Sequence, residues 1–191
     1  MKVRTAVRAG AAVLGLLVAW GAEAHPLHDA GGWVAGFAHP FLGWDHLLAM
    51  IAVGLWAAQL GGRALWILPA TFVSIMVCGA LLAVAGLALP HVESGIAASL
   101  LALGLLVAFA ARLPLAVGAA LVGAFALFHG HAHGSELPAM TSAWAFGAGF
   151  VVATALLHLV GIGIGRSARA QAVRIAGGSL ALFGLSLLTG L

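Results

Sequence analysis

Residues 143–165 read AWAFGAGFVVATALLHLVGIGIG, an unbroken stretch without a single charged side chain. A run of about 20 apolar residues is the length of helix that crosses a hydrocarbon core of about 30 Å. Strands of a membrane barrel are about ten residues long and alternate in polarity, which this stretch does not do. It therefore predicts a membrane-spanning helix and sets the scale for the rest of the chain.

The whole chain has the same apolar character. Of its 191 residues, 63% are apolar and 7% are charged, and the mean hydropathy is +1.15. A water-soluble domain has roughly a quarter charged residues, so lipid must be the solvent for most of this chain. Its basic residues are scattered and form no run with interleaved aromatic residues, so no nucleic-acid partner is expected.

Five further apolar runs complete the predicted fold, an all-α polytopic membrane protein with six transmembrane helices. Before them, residues 1–24 have the pattern of a cleavable signal peptide: a positive start, a short apolar stretch and the small-x-small motif Ala22-Glu23-Ala24. An uncleaved first helix is the alternative. The transmembrane domain then occupies residues 25–191, with predicted spans Phe41–Leu60, Ala64–Leu87, Gly95–Ala111, Pro114–Phe128, Ala143–Gly165 and Val173–Leu188.

Charge predicts the orientation of these spans. With the mature N-terminus outside the cytoplasm, every arginine after the signal falls in a loop on the inner side, whereas the outer segments hold acidic residues and no lysine or arginine. This separation predicts a bacterial inner-membrane protein with a periplasmic N-terminus. The inner arginines are Arg63, Arg112, Arg166, Arg169 and Arg174.

The nine histidines separate by side as well. Only His158 lies toward the cytoplasmic side of a span. The other eight lie outside or at the outer ends of spans: His25, His28, His39, His46, His91, His129, His131 and His133.

The first histidine motif is HPFLGWDHLLAM, residues 39–50. Proline suits the first turn of a helix, which puts His39 at the cap and Asp45 and His46 about one and a half turns inside. On a regular helix His39 and His46 differ by only about 20° around the axis, and Met50 shares the face of His46. An ionised aspartate inside a span needs a partner such as a metal ion or a metal-binding histidine. The alternative is that Asp45 caps or pairs locally.

The second motif is FHGHAHGSE, residues 128–136. On a helix His129 and His133 are one turn apart and Glu136 follows on the same side, so one face presents two imidazoles and a carboxylate. His131 points elsewhere unless a neighbouring glycine breaks the helix. Imidazole and carboxylate together suit nickel, cobalt, zinc or copper.

Two further histidines have weaker patterns. Thr154 lies one turn before His158, which indicates either a water-lined path or a Thr–His hydrogen bond between helices. His25, if it is the mature N-terminus, could chelate a metal through its amine and its imidazole.

These motifs together resemble the HupE/UreJ family of nickel and cobalt permeases, associated with hydrogenase and urease maturation. The resemblance covers essentially the whole mature chain. It implies import of a divalent transition metal, most readily Ni²⁺, as a transported substrate, with no permanently bound cofactor. The metal-handling residues that it implies are His39, Asp45, His46, His129, His133 and Glu136; His131, His158, His25 and Met50 are secondary candidates.

Other functions are less consistent with the sequence. It has no GxxxxGK[ST] segment for ATP, no HExxH motif for a metalloprotease and no GxSG motif for a rhomboid-like serine protease. Most of its histidines are too superficial for a bis-histidine haem carrier. A cobalt permease and a membrane metal sensor or buffer that does not transport remain alternatives. The expected partners are the metal ion and the bilayer, and the sequence does not indicate an oligomeric state.

Overall fold

A computed structural model describes residues 32–137 and 142–190 of the chain. The predicted signal peptide and His25 lie outside the described residues. Within them the fold is entirely helical, without a strand, as predicted. The elements are α1 (Gly32–Ala38), a short 3-10 helix (His39–Phe41), α2 (Trp44–Leu60), α3 (Ala64–Val84), α4 (Val92–Ala108), α5 (Leu115–Ser135), α6 (Ala143–Ser167) and α7 (Ala170–Thr189).

Each predicted span corresponds to one of the helices α2 to α7. Four of these, α3, α5, α6 and α7, are long and apolar enough to cross a membrane by themselves. Helix α4 is apolar but shorter, and α2 meets this condition only together with the segment Gly32–Phe41. The predicted end of the fourth span at Phe128 was wrong: α5 continues to Ser135, so the second histidine motif is helical and its glycines do not break the helix.

The first histidine motif differs from its predicted geometry. The helical segments Gly32–Phe41 and Trp44–Leu60 are bent by 78° at a short break. Gly43 is the extended N-cap residue of α2, and Asp45 lies in the first turn rather than further inside. His39 and His46 therefore do not share one helical face, and the predicted angle of about 20° between them was wrong.

The exterior of the bundle differs from that of a water-soluble protein. The buried polar side chains are all inside the helix bundle: His46, Ser99, His129, His133, Thr154 and His158. Large apolar side chains such as Leu82, Leu105 and Leu182 are exposed on the outside. Because an apolar exterior requires an apolar solvent, the chain is a multi-pass membrane protein.

Close approach of helix backbones holds this arrangement together. Helix α3 packs along α5, α4 along α7, and both α1 and α2 along α6. A Cβ atom on Gly130 of α5 would overlap the carbonyl oxygen of Met76 on α3. Small residues that let helices approach are characteristic of membrane interiors. The depth of the histidines on α5 is thus set by contact with α3.

The end of the bundle away from the two histidine motifs carries the loops with the arginines. There the indole Nε1 of Trp56 donates to the carbonyl of Ala111 at 2.9 Å, and Gln59 donates to that of Val107 at 2.9 Å. Arg174 Nε donates to the carbonyl of Ala108 at 2.7 Å. These side chains satisfy carbonyl groups at and just beyond the end of α4, which fixes α2 and α7 against it.

Candidate metal site

Three candidate ligands meet at the histidine-bearing end of the bundle. His39 comes from the 3-10 helix, His133 from the last turn of α5 and Glu136 from the C-cap of that helix. One ligand atom from each lies within 4.8 Å of the other two. His39 Nε2 is 3.1 Å and His133 Nδ1 is 3.7 Å from Glu136 Oε2. We call this group the outer triad; its two imidazoles and one carboxylate suit a divalent transition metal.

The charge of the outer triad resides on Glu136, which is largely exposed beyond the end of α5. The nearby His133 imidazole, and then the hydrogen bond with His39, lower the pKa of the Glu136 carboxyl to about 2, although partial burial opposes them. The Glu136 carboxyl is therefore ionised in the folded protein at ordinary pH.

A second pair of histidines lies deeper, next to the outer triad. His46 Nδ1 on α2 and His129 Nδ1 on α5 are 2.8 Å apart. The other nitrogen of His129, Nε2, is 2.8 Å from Ser99 Oγ on α4. His129 is completely buried, and both of its ring nitrogens have partners inside the protein. We call His46 and His129 the inner pair.

The outer triad and the inner pair form one continuous column of imidazoles. The ring centroids of His39 and His133 are 4.9 Å apart, those of His133 and His46 are 4.0 Å apart, and those of His46 and His129 are 4.8 Å apart. Both ring nitrogens of His133 are buried without a hydrogen-bond partner among the described residues. A bare buried nitrogen is costly unless something binds it, which fits a ligand position.

Aromatic rings line this column and separate it from the last histidine. Phe150 packs against His133 in a tilted arrangement with a centroid distance of 4.3 Å. Phe72 on α3 lies between His129, at 5.6 Å, and His158, at 5.1 Å. His158 is 1% exposed, and neither of its ring nitrogens has a partner within the described ranges.

Five of the six primary candidates therefore lie together, and Asp45 stands slightly apart. Its Oδ1 accepts the backbone N–H of His46 at 2.8 Å and is 3.9 Å from the Nε2 atom of that residue. This is local pairing of the kind that the sequence left open as an alternative, and it satisfies one of the first N–H groups of α2. The carboxylate also lies within reach of a cation held by His46.

The secondary candidates diverge. His131 turns away, as predicted, and its Nε2 is 2.9 Å from the carbonyl oxygen of Leu87. Met50 is fully buried within the apolar core. The hydroxyl of Thr154 points to the sulfur of Met76 at 3.9 Å, so the hydrogen bond to His158 considered from the sequence is not formed.

Sequence reasoning missed the residues that support the histidines. Ser99 and Phe72 lie in apolar spans with no local feature beyond a single hydroxyl or an aromatic ring. A search for every hydroxyl inside a span would have found Ser99, because a polar group at that depth needs a partner. No pattern in the sequence distinguishes Phe72 from the other phenylalanines.

Comparison with known proteins adds independent findings. The family model described as HupE / UreJ protein matches residues 11–187. Protein HupE from Rhizobium leguminosarum bv. viciae is 51% identical over 174 residues, which cover 88% of this chain and 91% of that protein. No solved structure matches the chain.

Proposed function

Because this chain belongs to the HupE/UreJ family, which is associated with nickel and cobalt transport, we propose that it is a permease that imports Ni²⁺ across the bacterial inner membrane. In this proposal the cleaved chain has six spans and a periplasmic N-terminus, so the outer triad opens to the periplasm. The protein is a transporter and not an enzyme, and the metal ion is its substrate.

The observation that carries the proposal is the imidazole column beneath a carboxylate. Glu136 attracts a hydrated cation at the mouth, and His39 and His133 replace part of its water. His46 offers a further imidazole deeper inside, held by its contact with His129 and with Asp45 beside it. Nitrogen and oxygen donors of this kind bind Ni²⁺ and Co²⁺ in preference to the harder Mg²⁺ and Ca²⁺.

Passage inward requires the ion to leave this column. Phe72 contacts both His129 and His158, so its ring lies beside the route from the inner pair to His158. The membrane potential is a sufficient driving force, because moving a divalent ion inward is favourable by about 4.6 kcal/mol per 100 mV. At about 1.4 kcal/mol per factor of ten, this supports an accumulation of about two-thousandfold.

Metal binding also predicts a pH dependence. A histidine binds metal through a bare nitrogen and must lose its proton first. Uptake should therefore fall once the external pH is low enough to protonate the binding histidines. A rate that does not fall at any pH at which the protein stays folded would argue against capture by histidine.

The test is uptake of radiolabelled Ni²⁺ by proteoliposomes with an inside-negative potential. We expect ions inside the vesicles with the wild type and a strong reduction with His46→Ala. His131→Ala is the matched control, because His131 lies on the histidine helix but faces away from the column. Equal uptake by wild type and His46→Ala would remove the first motif from the mechanism.

The same vesicles separate the alternatives. Ions bound to the protein but never released inside would indicate a metal sensor or buffer. Preferential accumulation of Co²⁺ when both metals are supplied would indicate a cobalt permease. A Soret band in the visible spectrum of the purified protein would indicate a haem carrier instead.

A further inference from the structure

Ser99 occupies a position that the transport proposal does not use. It is fully buried on α4, and its Oγ lies 2.6 Å from the carbonyl oxygen of Ile96 and 2.8 Å from Nε2 of His129. A hydroxyl has one proton to donate, and a carbonyl oxygen has none. The proton must therefore lie on the short contact to Ile96, since two oxygens at that distance would otherwise repel each other. Ser99 then accepts a hydrogen bond from the Nε2–H group of His129.

This assignment continues through the inner pair. A neutral imidazole carries one N–H group, so a His129 that donates from Nε2 has a bare Nδ1. That Nδ1 is 2.8 Å from Nδ1 of His46. His46 must supply the proton of this contact from its own Nδ1. Its Nε2 atom then keeps a free lone pair, 3.9 Å from the carboxylate of Asp45.

We propose that Ser99 is a positioning residue that sets the tautomers of His129 and, through it, of His46. The chain of hydrogen bonds runs from His46 Nδ1–H to His129, from His129 Nε2–H to Ser99, and from Ser99 to the Ile96 carbonyl. Its effect is to present Nε2 of His46 as the atom that binds metal. A ligand histidine is commonly oriented through its other ring nitrogen in this way.

The tautomers themselves do not depend on transport, whereas their use in binding Ni²⁺ rests on the proposed function. Nitrogen NMR of the wild-type protein, labelled with ¹⁵N in the histidine rings, tests the first part without any metal. We expect an Nδ1–H signal for His46 and an Nε2–H signal for His129, assigned by their loss in His46→Ala and His129→Ala. An Nε2–H signal for His46, or an Nδ1–H signal for His129, would overturn the proposal.

Variants at Ser99 test the causal link. In Ser99→Ala we expect mixed tautomers at both histidines and a KM for Ni²⁺ raised about tenfold, within the range seen when a partner of a ligand is removed. Ser99→Thr keeps the hydroxyl and should restore both the tautomers and the KM. Ser186→Ala is the matched control, because Ser186 makes the same kind of bond to a carbonyl three residues earlier, at 2.8 Å, but contacts no histidine in the described structure.

The outcomes are separable. Unchanged tautomers in Ser99→Ala, or a Thr variant that folds and leaves them mixed, would refute the positioning role even if transport is confirmed. Predicted tautomers in a wild-type protein that accumulates no Ni²⁺ would support the hydrogen-bond chain and refute the proposed function. The wild-type spectrum remains decisive if a substitution at this buried site prevents folding.

Discussion

The histidines of the imidazole column and His158 lie in opposite surroundings. In the column, four rings lie within 5 Å of their neighbours, and hydrogen bonds or a carboxylate engage three of them, His39, His46 and His129. His158 stands alone behind Phe72, without a hydrogen-bond partner in the described part of the chain. The column brings several imidazoles close together, whereas the region around His158 contains a single one.

The difference corresponds to two demands of the proposed transport. An ion enters only if its lost water is replaced, which takes several ligands, and it leaves only if no later site holds it too well. A single histidine provides one temporary ligand. Its unpartnered nitrogens destabilise the folded protein, because a buried polar group without a hydrogen bond costs about 1–3 kcal/mol.

The largest effect is expected from His133→Ala. His133 joins the outer triad to the inner pair, and its loss interrupts the column at both contacts. We expect the ratio of maximal uptake rate to KM to fall on the order of 100-fold, equivalent to about 2.7 kcal/mol. Initial rates over a range of Ni²⁺ concentrations measure this. A change of less than threefold would mean that the column is not the route of capture.

His158→Leu should have a smaller and different effect. Capture is untouched, so KM stays near the wild-type value while the maximal rate falls about tenfold, a change of about 1.4 kcal/mol. The melting temperature should rise, because an apolar side chain of similar size replaces a ring with unsatisfied nitrogens. A raised KM, or a lowered melting temperature, would place His158 in the same functional class as the column.

Glu136→Gln tests the charge at the mouth. The pKa of Glu136 is about 2, so its attraction for a cation is fully present above the ordinary carboxyl range and is lost only as the pH falls through about 2. We expect uptake to be about fivefold lower at every pH between 5 and 8, and the decrease of uptake at acidic pH should occur at the same pH as in the wild type. If uptake by this variant no longer decreased at acidic pH, the carboxylate and not the histidines would set the pH dependence.

The smallest effect is expected from His131→Ala. Its Nε2 contact with the carbonyl of Leu87 anchors the segment after α3, outside the column. Uptake should stay within twofold of wild type, and the free energy of unfolding should fall by about 1 kcal/mol, typical of one hydrogen bond. Chemical denaturation measures the free energy of unfolding, and initial rates measure uptake. Loss of uptake comparable to His133→Ala would show that any histidine of this helix is equivalent.

The helical fold could be predicted because composition and run length determine it. Uncharged runs such as residues 143–165 leave a backbone in lipid no alternative to internal hydrogen bonds, which a helix supplies. The break before α2 could not be predicted, because Leu42 and Trp44 continue the apolar run on both sides of Gly43. A backbone bend between apolar residues leaves no mark in hydropathy.

The residues that lie together at the candidate site could be predicted from the sequence better than their geometry. Periodicity correctly paired His129 with His133 and turned His131 away, because both relations lie within one helix. The contacts of His46 with His129, and of His129 with Ser99, join three different helices. Such contacts depend on how helices pack, which no local pattern encodes.

The glycines of the second histidine motif leave little tolerance for a change in its spacing. In HGHAHG, residues 129–134, Gly130 and Gly134 press against the backbone of α3, while His129 and His133 are buried among the site residues. A histidine added at Gly130 would have no room, and a residue inserted between them would rotate the imidazoles toward α3 or lipid. Two of the six residues in this histidine motif thus determine where the helix packs, and a relative that keeps the histidines but changes these glycines should not be assumed to keep the site.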